Sequence, residues 1–210
     1  MPFKRSFFFS IYVFQPLFKF FSFFIVTLQT QNGIICVFVN QRMEIFVNEK
    51  DIIEAADKGM DEFISVFTSA IYSQVGELNA ESMAKLNADQ ITLLAYIILR
   101  DEVMDGGFVL LIHDGYGAFI FQNPFARMMR KWEIHELASL VNKVHKSYSH
   151  HHELIERDYT DEEFMALYEQ LPEFDDFDDE FVENEEEWTQ AVACYIDEHI
   201  ENFATIEKDE

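Results

Sequence analysis

The sequence predicts an all-α protein: a single compact helical domain of about six to eight helices, preceded by an N-terminal extension that is not part of the domain. Two observations lead to this prediction. After Met43, apolar residues recur at spacings of three and four, which is the period of an amphipathic helix. Residues that cap helices stand where these segments begin. A strand would show apolar residues at alternate positions, and no useful run of that kind follows Met43.

The first helical segment is predicted to run from Asn48, which can cap its N-terminus, to Gly76, which can end it. A second segment begins at Asn87, with Gln90 at the position that completes a capping box, and its apolar run ends at Gly106-Gly107. Because residues 91–99 are apolar on nearly every side, we expect this second helix to be central.

Five further segments complete the domain. Residues 106–117 (GGFVLLIHDGYG) are short and apolar and fit either a helical turn or a strand. Asn123-Pro124 has the pattern of an N-cap followed by Pro at the first helical position, and Thr160 and Glu163 form a capping box. A long amphipathic helix after residue 133 has an apolar face of Ile134, Leu137, Leu140, Val141 and Val144. A last helix over about residues 184–203 has an apolar face of Trp188, Val192, Tyr195, Ile196 and Ile200.

Residues 1–42 differ in composition from the rest of the chain. They include basic residues and no acid, and the first thirty hold ten of the 23 Phe. Three interpretations stay open: a start assigned too far upstream, with the protein beginning at Met43; a signal or anchor segment; or a real domain. Pro16 and Lys19 interrupt the apolar run and no small-residue cleavage site follows, which counts against a signal. We expect residues 43–210 to form the acidic domain.

The net charge of −24 is distributed unevenly along the chain. Residues 150–210 contain 23 acids and only two bases, Arg157 and Lys208. Such a field repels nucleic acid and anionic membranes and attracts basic proteins, so we expect no membrane association for residues 43–210. Cys36 and Cys194 do not make a disulfide framework, which favours a reducing, cytoplasmic location.

Residues 173–187 (EFDDFDDEFVENEEE) hold ten carboxylates and no base. A like-charge block is usually a solvated tail, but acidic tails are poor in aromatics. Here Phe174, Phe177, Phe181 and Trp188 are spaced three, four and seven apart. A helix would place them on one packed stripe and the acids on the other faces; the alternative is a solvated face that keeps the protein soluble. The expected partner-binding residues are Asp175, Asp176, Asp178, Asp179, Glu180, Glu183, Glu185, Glu186 and Glu187.

The sequence offers no catalytic residue, cofactor motif or metal site. Adjacent histidines at 150–152 point in different directions on a helix, and no nearby Cys completes a zinc site. The glycine pairs match no phosphate-binding fingerprint, and the acidic run lacks the central Gly of a calcium loop. Cys194 is predicted to pack on the apolar side of the last helix.

The segment LLAYIILRDEVMDGGFVLLIHDGYG resembles a family of bacterial DNA-mimic proteins. The family is acidic and all-α, and its domain is classed as a domain of unknown function. The resemblance covers about residues 86–203, and the turn Gly106-Gly107-Phe108 is its most specific part. Glu102, Asp105, Asp114 and Gly117 complete the motif, with Asp105 and Asp114 where the family usually has Asn, and Leu110 where it has Gln.

The resemblance implies an acidic protein that forms a dimer, as members of the family do. Its carboxylates would be presented, like the phosphates of duplex DNA, to a basic DNA-binding protein or transcription factor. It implies no direct binding of nucleic acid. Two alternatives stay open. One is an immunity-type inhibitor of a basic nuclease toxin. The other is an enzyme with a site near the Gly106-Gly107-Phe108 turn, which a deep pocket lined by Glu102, Asp105, His113 and Tyr116 would favour.

Overall fold

The computed structural model describes residues 24–30, 33–39, 42–76 and 78–208. Helices dominate these residues, and the predicted all-α class is confirmed. Seven of the helices there have at least seven residues, and three are single turns. The helices are α1 (Glu49–Ala56), α2 (Met60–Val75), α3 (Ala80–Met83), α4 (Ala88–His113), α5 (Gly117–Phe121), α6 (Phe125–Lys131), α7 (His135–Ile155), α8 (Asp161–Gln170), α9 (Asp175–Glu198) and α10 (Ile200–Phe203), with a 3₁₀ turn at Pro172–Phe174.

The strands of the described residues are short and form two pairs. β1 (Phe24–Thr30) and β2 (Gly33–Val39) pair antiparallel inside the predicted extension. The signal or anchor interpretation falls mainly on residues 1–23, which lie outside the described residues. β3 (Phe46–Asn48) pairs in parallel with β4 (Thr205–Glu207), so the two ends of the helical domain meet.

The first predicted helical segment is two helices. Asn48 caps α1 as predicted, since its side chain accepts a hydrogen bond from the Lys50 N–H at 2.8 Å. Gly59 then separates α1 from α2 because its φ of 144° is a conformation that only glycine adopts without strain. Gly76 ends α2, as predicted. The single segment over residues 48–76 was therefore wrong at Gly59.

The helix α4 lies at the centre of the fold, as predicted. Its capping box between Asn87 and Gln90 is present, and Leu93, Tyr96 and Leu99 are fully buried. Gly106-Gly107 does not end the helix, which is a correction to the prediction. The pair makes a kink, with φ of 75° at Gly107, and the helix resumes to His113. The open choice for the segment after the kink is thus decided in favour of helix.

Two other boundaries differ from the prediction. Pro124, rather than Asn123, is the N-cap of α6, because the Asn123 side chain donates back to the Phe119 carbonyl at 3.0 Å. The helix α9 begins at Asp175, nine residues before the predicted start, and acids in its first turn interact favourably with the helix dipole. The buried face of α7 and the capping box of Thr160 are as predicted.

Candidate functional site

The acidic stretch is an ordered helix packed on the core. Phe174, Phe181 and Trp188 are at most 4% exposed, and Phe177 is half-buried. The Phe181 ring makes edge contacts with Phe108 and Trp188 at centroid distances of 6.0 and 5.5 Å. The aromatic stripe inferred from spacing therefore fixes α9 against α2, α4 and α7.

Three of the predicted partner-binding acids, which we call the inner carboxylates, are held by groups of the protein itself. They are Asp178, Glu180 and Glu185. Glu180 pairs with Lys143 at 2.8 Å. Glu185 pairs with Arg100 and accepts a hydrogen bond from the Thr189 hydroxyl at 2.8 Å.

The third inner carboxylate, Asp178, is half-buried. It accepts the Phe108 N–H at 2.8 Å. Burial, assisted by the charges of Asp175 and Asp179, raises the pKa of Asp178 to about 6, against the opposing effect of that hydrogen bond. A carboxylate in these surroundings serves the fold first.

The other six acids, which we call the outer carboxylates, are exposed on α9. None of them pairs with a base among the residues that the structure describes. Most follow one another at intervals of three or four residues, so they share one face of the helix. They are Asp175, Asp176, Asp179, Glu183, Glu186 and Glu187.

The Gly-Gly-Phe kink is fastened to α8 and α9. The Tyr168 hydroxyl donates to the Gly106 carbonyl at 2.7 Å, and Phe108 is fully buried, as predicted. A Cβ on Gly107 would lie 2.3 Å from an oxygen of Asp178, so only glycine lets the acidic helix approach this closely. The kink therefore positions α9.

Of the remaining motif residues, Glu102 and Asp105 lie before the kink, and Asp114 and Gly117 lie after the helical segment that follows it. Glu102 and Asp114 are neighbours. Burial first, then the charge and hydrogen bond of Asp114, raises the pKa of Glu102 to about 7. Gly117 allows close approach of Tyr148, whose ring would lie 2.5 Å from a Cβ there. Asp105 is exposed.

The four residues that would have indicated a catalytic pocket do not line one site. Glu102 and Asp105 lie in an open groove between α2 and α4. His113 and Tyr116 do not line that groove. The His113 ring packs 4.4 Å from Phe164, and its Nδ1 lies 2.9 Å from the Ile155 carbonyl oxygen.

Other candidate ligands have ordinary surroundings. Cys194 is exposed, so its predicted packing on the apolar side of the helix was wrong. His151 contacts Glu173 at 3.0 Å, and His152 contacts the Tyr148 carbonyl. Within residues 42–76 and 78–208, no three His, Cys, Asp or Glu side chains are grouped to hold a metal, and no helix there is long and apolar enough to cross a bilayer.

The family model for DMP19-like proteins matches residues 84–199. The chain belongs to the DMP19-like protein family. The DNA mimic protein DMP19 of Neisseria meningitidis serogroup B is 35% identical to it over 140 residues, which are 66% of this chain and 84% of that protein. The resemblance to DNA-mimic proteins is therefore confirmed, while the Gly-Gly-Phe turn as a family motif stays a prediction.

The family match covers the parts of the fold that build the acidic helix. It runs from the start of α4 to the end of α9 and includes the kink, α7 and α8. Lys143 and Arg100, which neutralise Glu180 and Glu185, also lie inside it. These two contacts could not be predicted from the sequence, because each base is far along the chain from the acid that it binds.

Proposed function

We propose that this chain is a non-enzymatic, cytoplasmic protein that binds a basic DNA-binding protein, for example a transcription factor, through the outer carboxylates of α9. These carboxylates take the place of DNA phosphates. The meningococcal relative is named as a DNA mimic, and common family membership supports the same role here. The observation that carries the proposal is the exposed, unneutralised acidic face of an otherwise packed helix.

The spacing of the outer carboxylates supports phosphate mimicry. From Asp175 to Glu187 the helix rises about 18 Å at 1.5 Å per residue. Six carboxylates over this distance give roughly one charge per 3–4 Å, close to the one phosphate per 3.4 Å of a single DNA strand. Lys and Arg side chains spaced to meet phosphates would therefore meet carboxylates.

The rigidity of α9 also supports the proposal. A disordered acidic tail loses conformational entropy when it binds, which lowers its affinity. Phe181, Trp188 and the hydrogen bond from the Phe108 N–H to Asp178 have already ordered this helix. A partner with matching cations then binds a preformed surface.

The test begins with a partner that is recovered from native lysate and released by duplex DNA. Its affinity is measured from 50 to 500 mM salt for the parent and for a variant with Asp176→Asn, Asp179→Asn, Glu183→Gln and Glu186→Gln. A matched control removes four exposed charges from α7 and from α1 with its C-cap residue: Asp51→Asn, Asp57→Asn, Glu136→Gln and Glu153→Gln.

We expect the outer-face variant to bind at least about tenfold more weakly at low salt, and the salt slope to fall by about one for each lost contact. The control should stay within about threefold of the parent. If both variants lose the same affinity for the partner, the partner is attracted by the net charge of the protein alone. No loss in the outer-face variant would mean that this face only keeps the protein soluble. The dimer implied by the resemblance stays a prediction, which sedimentation equilibrium tests.

A further inference from the structure

The helix α7 carries four histidines within residues 145–152, and the structure divides them between two sides of the helix. Two of them belong to an aromatic group that includes α5. The His145 ring stacks on Phe121 at a centroid distance of 6.1 Å, and the His152 ring packs on Tyr148 at 5.2 Å. This pair therefore lies away from the acidic helix α9.

The other two, His150 and His151, lie on the side of α7 that faces α9. The His151 Nε2 is 3.0 Å from an oxygen of Glu173, just before α9 begins. His150 follows Lys143 by seven residues, about two helical turns, so the two side chains share one face. The Lys143 ammonium group binds Glu180 at 2.8 Å. Because the contacts move back along α9 as α7 advances, the two helices run antiparallel.

These histidines stand beside the first of the outer carboxylates. Asp175 and Asp176 follow Glu173 by two and three residues, and Asp176 is one turn from both Glu173 and Glu180. Neither Asp pairs with a base in the part of the chain that the structure describes. Axes of packed helices are about 8–10 Å apart, which is about one Debye length at physiological salt. A charge on either histidine therefore acts on these carboxylates.

Histidine is the side chain whose charge ordinarily changes between pH 5 and 8, whereas Lys stays charged throughout that range. The exposed His150 and the partly exposed His151 can exchange protons with solvent. Groups of both signs meet this side of α7, by contact or by helix position. They are Lys143, Lys146 and Glu153 of α7 itself, and Glu173, Asp176 and Glu180 at or just before α9.

We propose that protonation of His150 and His151 weakens the binding of a basic partner to the outer carboxylates, so that the partner is held at neutral pH and released as the pH falls. The inference rests on the proposed function and adds its regulation. When both rings are protonated, two positive charges stand beside Asp175 and Asp176. There they neutralise carboxylates that the partner would bind, and they repel the cations of the partner.

The expected size follows from the exposure of these groups. One exposed charge pair changes an equilibrium by a factor of about 1.5 to 5, so two protonated histidines should weaken binding by at least about threefold. Asp178 titrates in the same range, because burial raises its pKa to about 6. The test therefore uses Asp178→Asn as the background. Glu102, whose pKa burial raises to about 7, is present in every variant and cancels in the comparison.

The probe is the peptide acetyl-octalysine-amide, whose side chains keep their charge over the whole range. Its affinity for the full chain is measured by calorimetry at about pH 7.5 and about pH 5.5, in about 100 mM salt. We expect the affinity to fall at least about threefold in the background protein. It should fall less than about 1.5-fold when His150→Gln and His151→Gln are added.

Two further variants are matched to this pair. His145→Gln with His152→Gln removes two histidines from the opposite side of α7 and should keep the full pH dependence. His150→Lys with His151→Lys makes the positive charge permanent, so the affinity should be low at both pH values. Thermal unfolding of every variant shows that it is folded.

The outcomes separate this inference from the proposed function. If the His150→Gln, His151→Gln variant loses as much affinity at low pH as its background, the histidines do not control the acidic face. A loss of pH dependence in the His145→Gln, His152→Gln variant would overturn the inference equally. If the outer-face variant binds the peptide as tightly as the parent, the outer carboxylates are not the cation-binding surface, and the proposed function fails together with this inference.

Discussion

The inner and outer carboxylates stand on the same helix, often at adjacent positions, and have opposite surroundings. Asp178 meets a backbone N–H of another helix, while Asp179, the next residue, is exposed. Both residues are Asp, so the sequence alone does not distinguish them. The difference shows that negative charge on α9 serves two purposes, one fastening the helix and the other remaining available. A variant that neutralises Asp178 together with Asp175, Asp176 and Asp179 would therefore mix an effect on folding with an effect on binding.

The largest expected effect comes from Phe108, the buried ring that anchors the helix carrying the inner and outer carboxylates. Phe108→Ala removes a fully buried ring that contacts Phe181, and should lower the free energy of unfolding by about 3–5 kcal/mol. Urea denaturation measures it. Met165→Ala is the control, because Met165 is 65% exposed and should change stability by less than about 0.5 kcal/mol. A loss below about 1 kcal/mol for Phe108→Ala would contradict the packing described here.

The second effect isolates the hydrogen bond of the inner set. Asp178→Ala leaves the Phe108 N–H without its acceptor and should destabilise the fold by about 1–3 kcal/mol at pH 7. Asp178→Asn keeps an oxygen acceptor and removes the half-buried charge, so it should be at least as stable as the parent. If the two variants unfold at the same urea concentration, the hydrogen bond does not fasten α9.

A third effect depends on pH. Burial raises the pKa of Asp178 from 3.8 to about 6. The folded state therefore binds more protons than the unfolded state between these values. The stability that comes from protonation of Asp178, as distinct from its hydrogen bond, is full below the ordinary pKa and is lost as pH rises through 6. Relative to Asp178→Asn, the parent should lose stability from about pH 4 to pH 7. Thermal unfolding of both proteins at several pH values measures the difference, and a constant or growing advantage of the parent would refute it.

The outer set should have a much smaller effect on stability. Asp176→Asn, Asp179→Asn and Glu183→Gln together remove three exposed charges that repel one another, and should change the free energy of unfolding by less than about 0.5 kcal/mol, or raise it. Chemical denaturation at low salt is the measurement. A loss as large as that of Asp178→Ala would mean that the distinction between inner and outer carboxylates does not hold.

The smallest expected effect comes from removing residues 1–42. A chain that begins at Met43 should be soluble, with helical circular dichroism and a melting temperature close to those of the full chain. The ordered contacts of the domain begin there, since the Met43 N–H donates to the Lys85 carbonyl at 2.9 Å. Aggregation of the shorter chain, when the full chain stays soluble, would contradict the assignment of residues 1–42 as an extension.

Much of the fold could be predicted because local signals and burial agree. The capping boxes at Asn87 and Thr160 fix the starts of α4 and α8, and the all-round apolar run of α4 marks it as central. The break at Gly59 could not be predicted, because glycine also occurs inside helices and only tertiary packing selects its positive φ.

The site could be predicted in outline only. The spacing of Phe174, Phe181 and Trp188 identifies the packed stripe, yet which acids turn inward depends on neighbours far along the chain, such as the Phe108 N–H. The exposure of Cys194 could have been found: Trp188, Val192 and Ile196 define the buried face at spacings of four, and a residue two positions from Val192 and Ile196 does not share it.

The parallel pair of β3 and β4 has a consequence for biosynthesis. Phe46 pairs with Thr205, and Asn48 with Glu207, so almost the whole domain separates the two strands along the chain. Domains generally fold as units, and the N-terminal part of a chain leaves the ribosome first. During synthesis, the edge of β3 therefore stays unpaired until β4 has left the ribosome. Until then Ile45 and Val47, which are buried in the folded protein, are exposed. A chain cut short before Thr205 keeps that open edge, and unpaired strand edges with exposed apolar residues make a chain prone to aggregate.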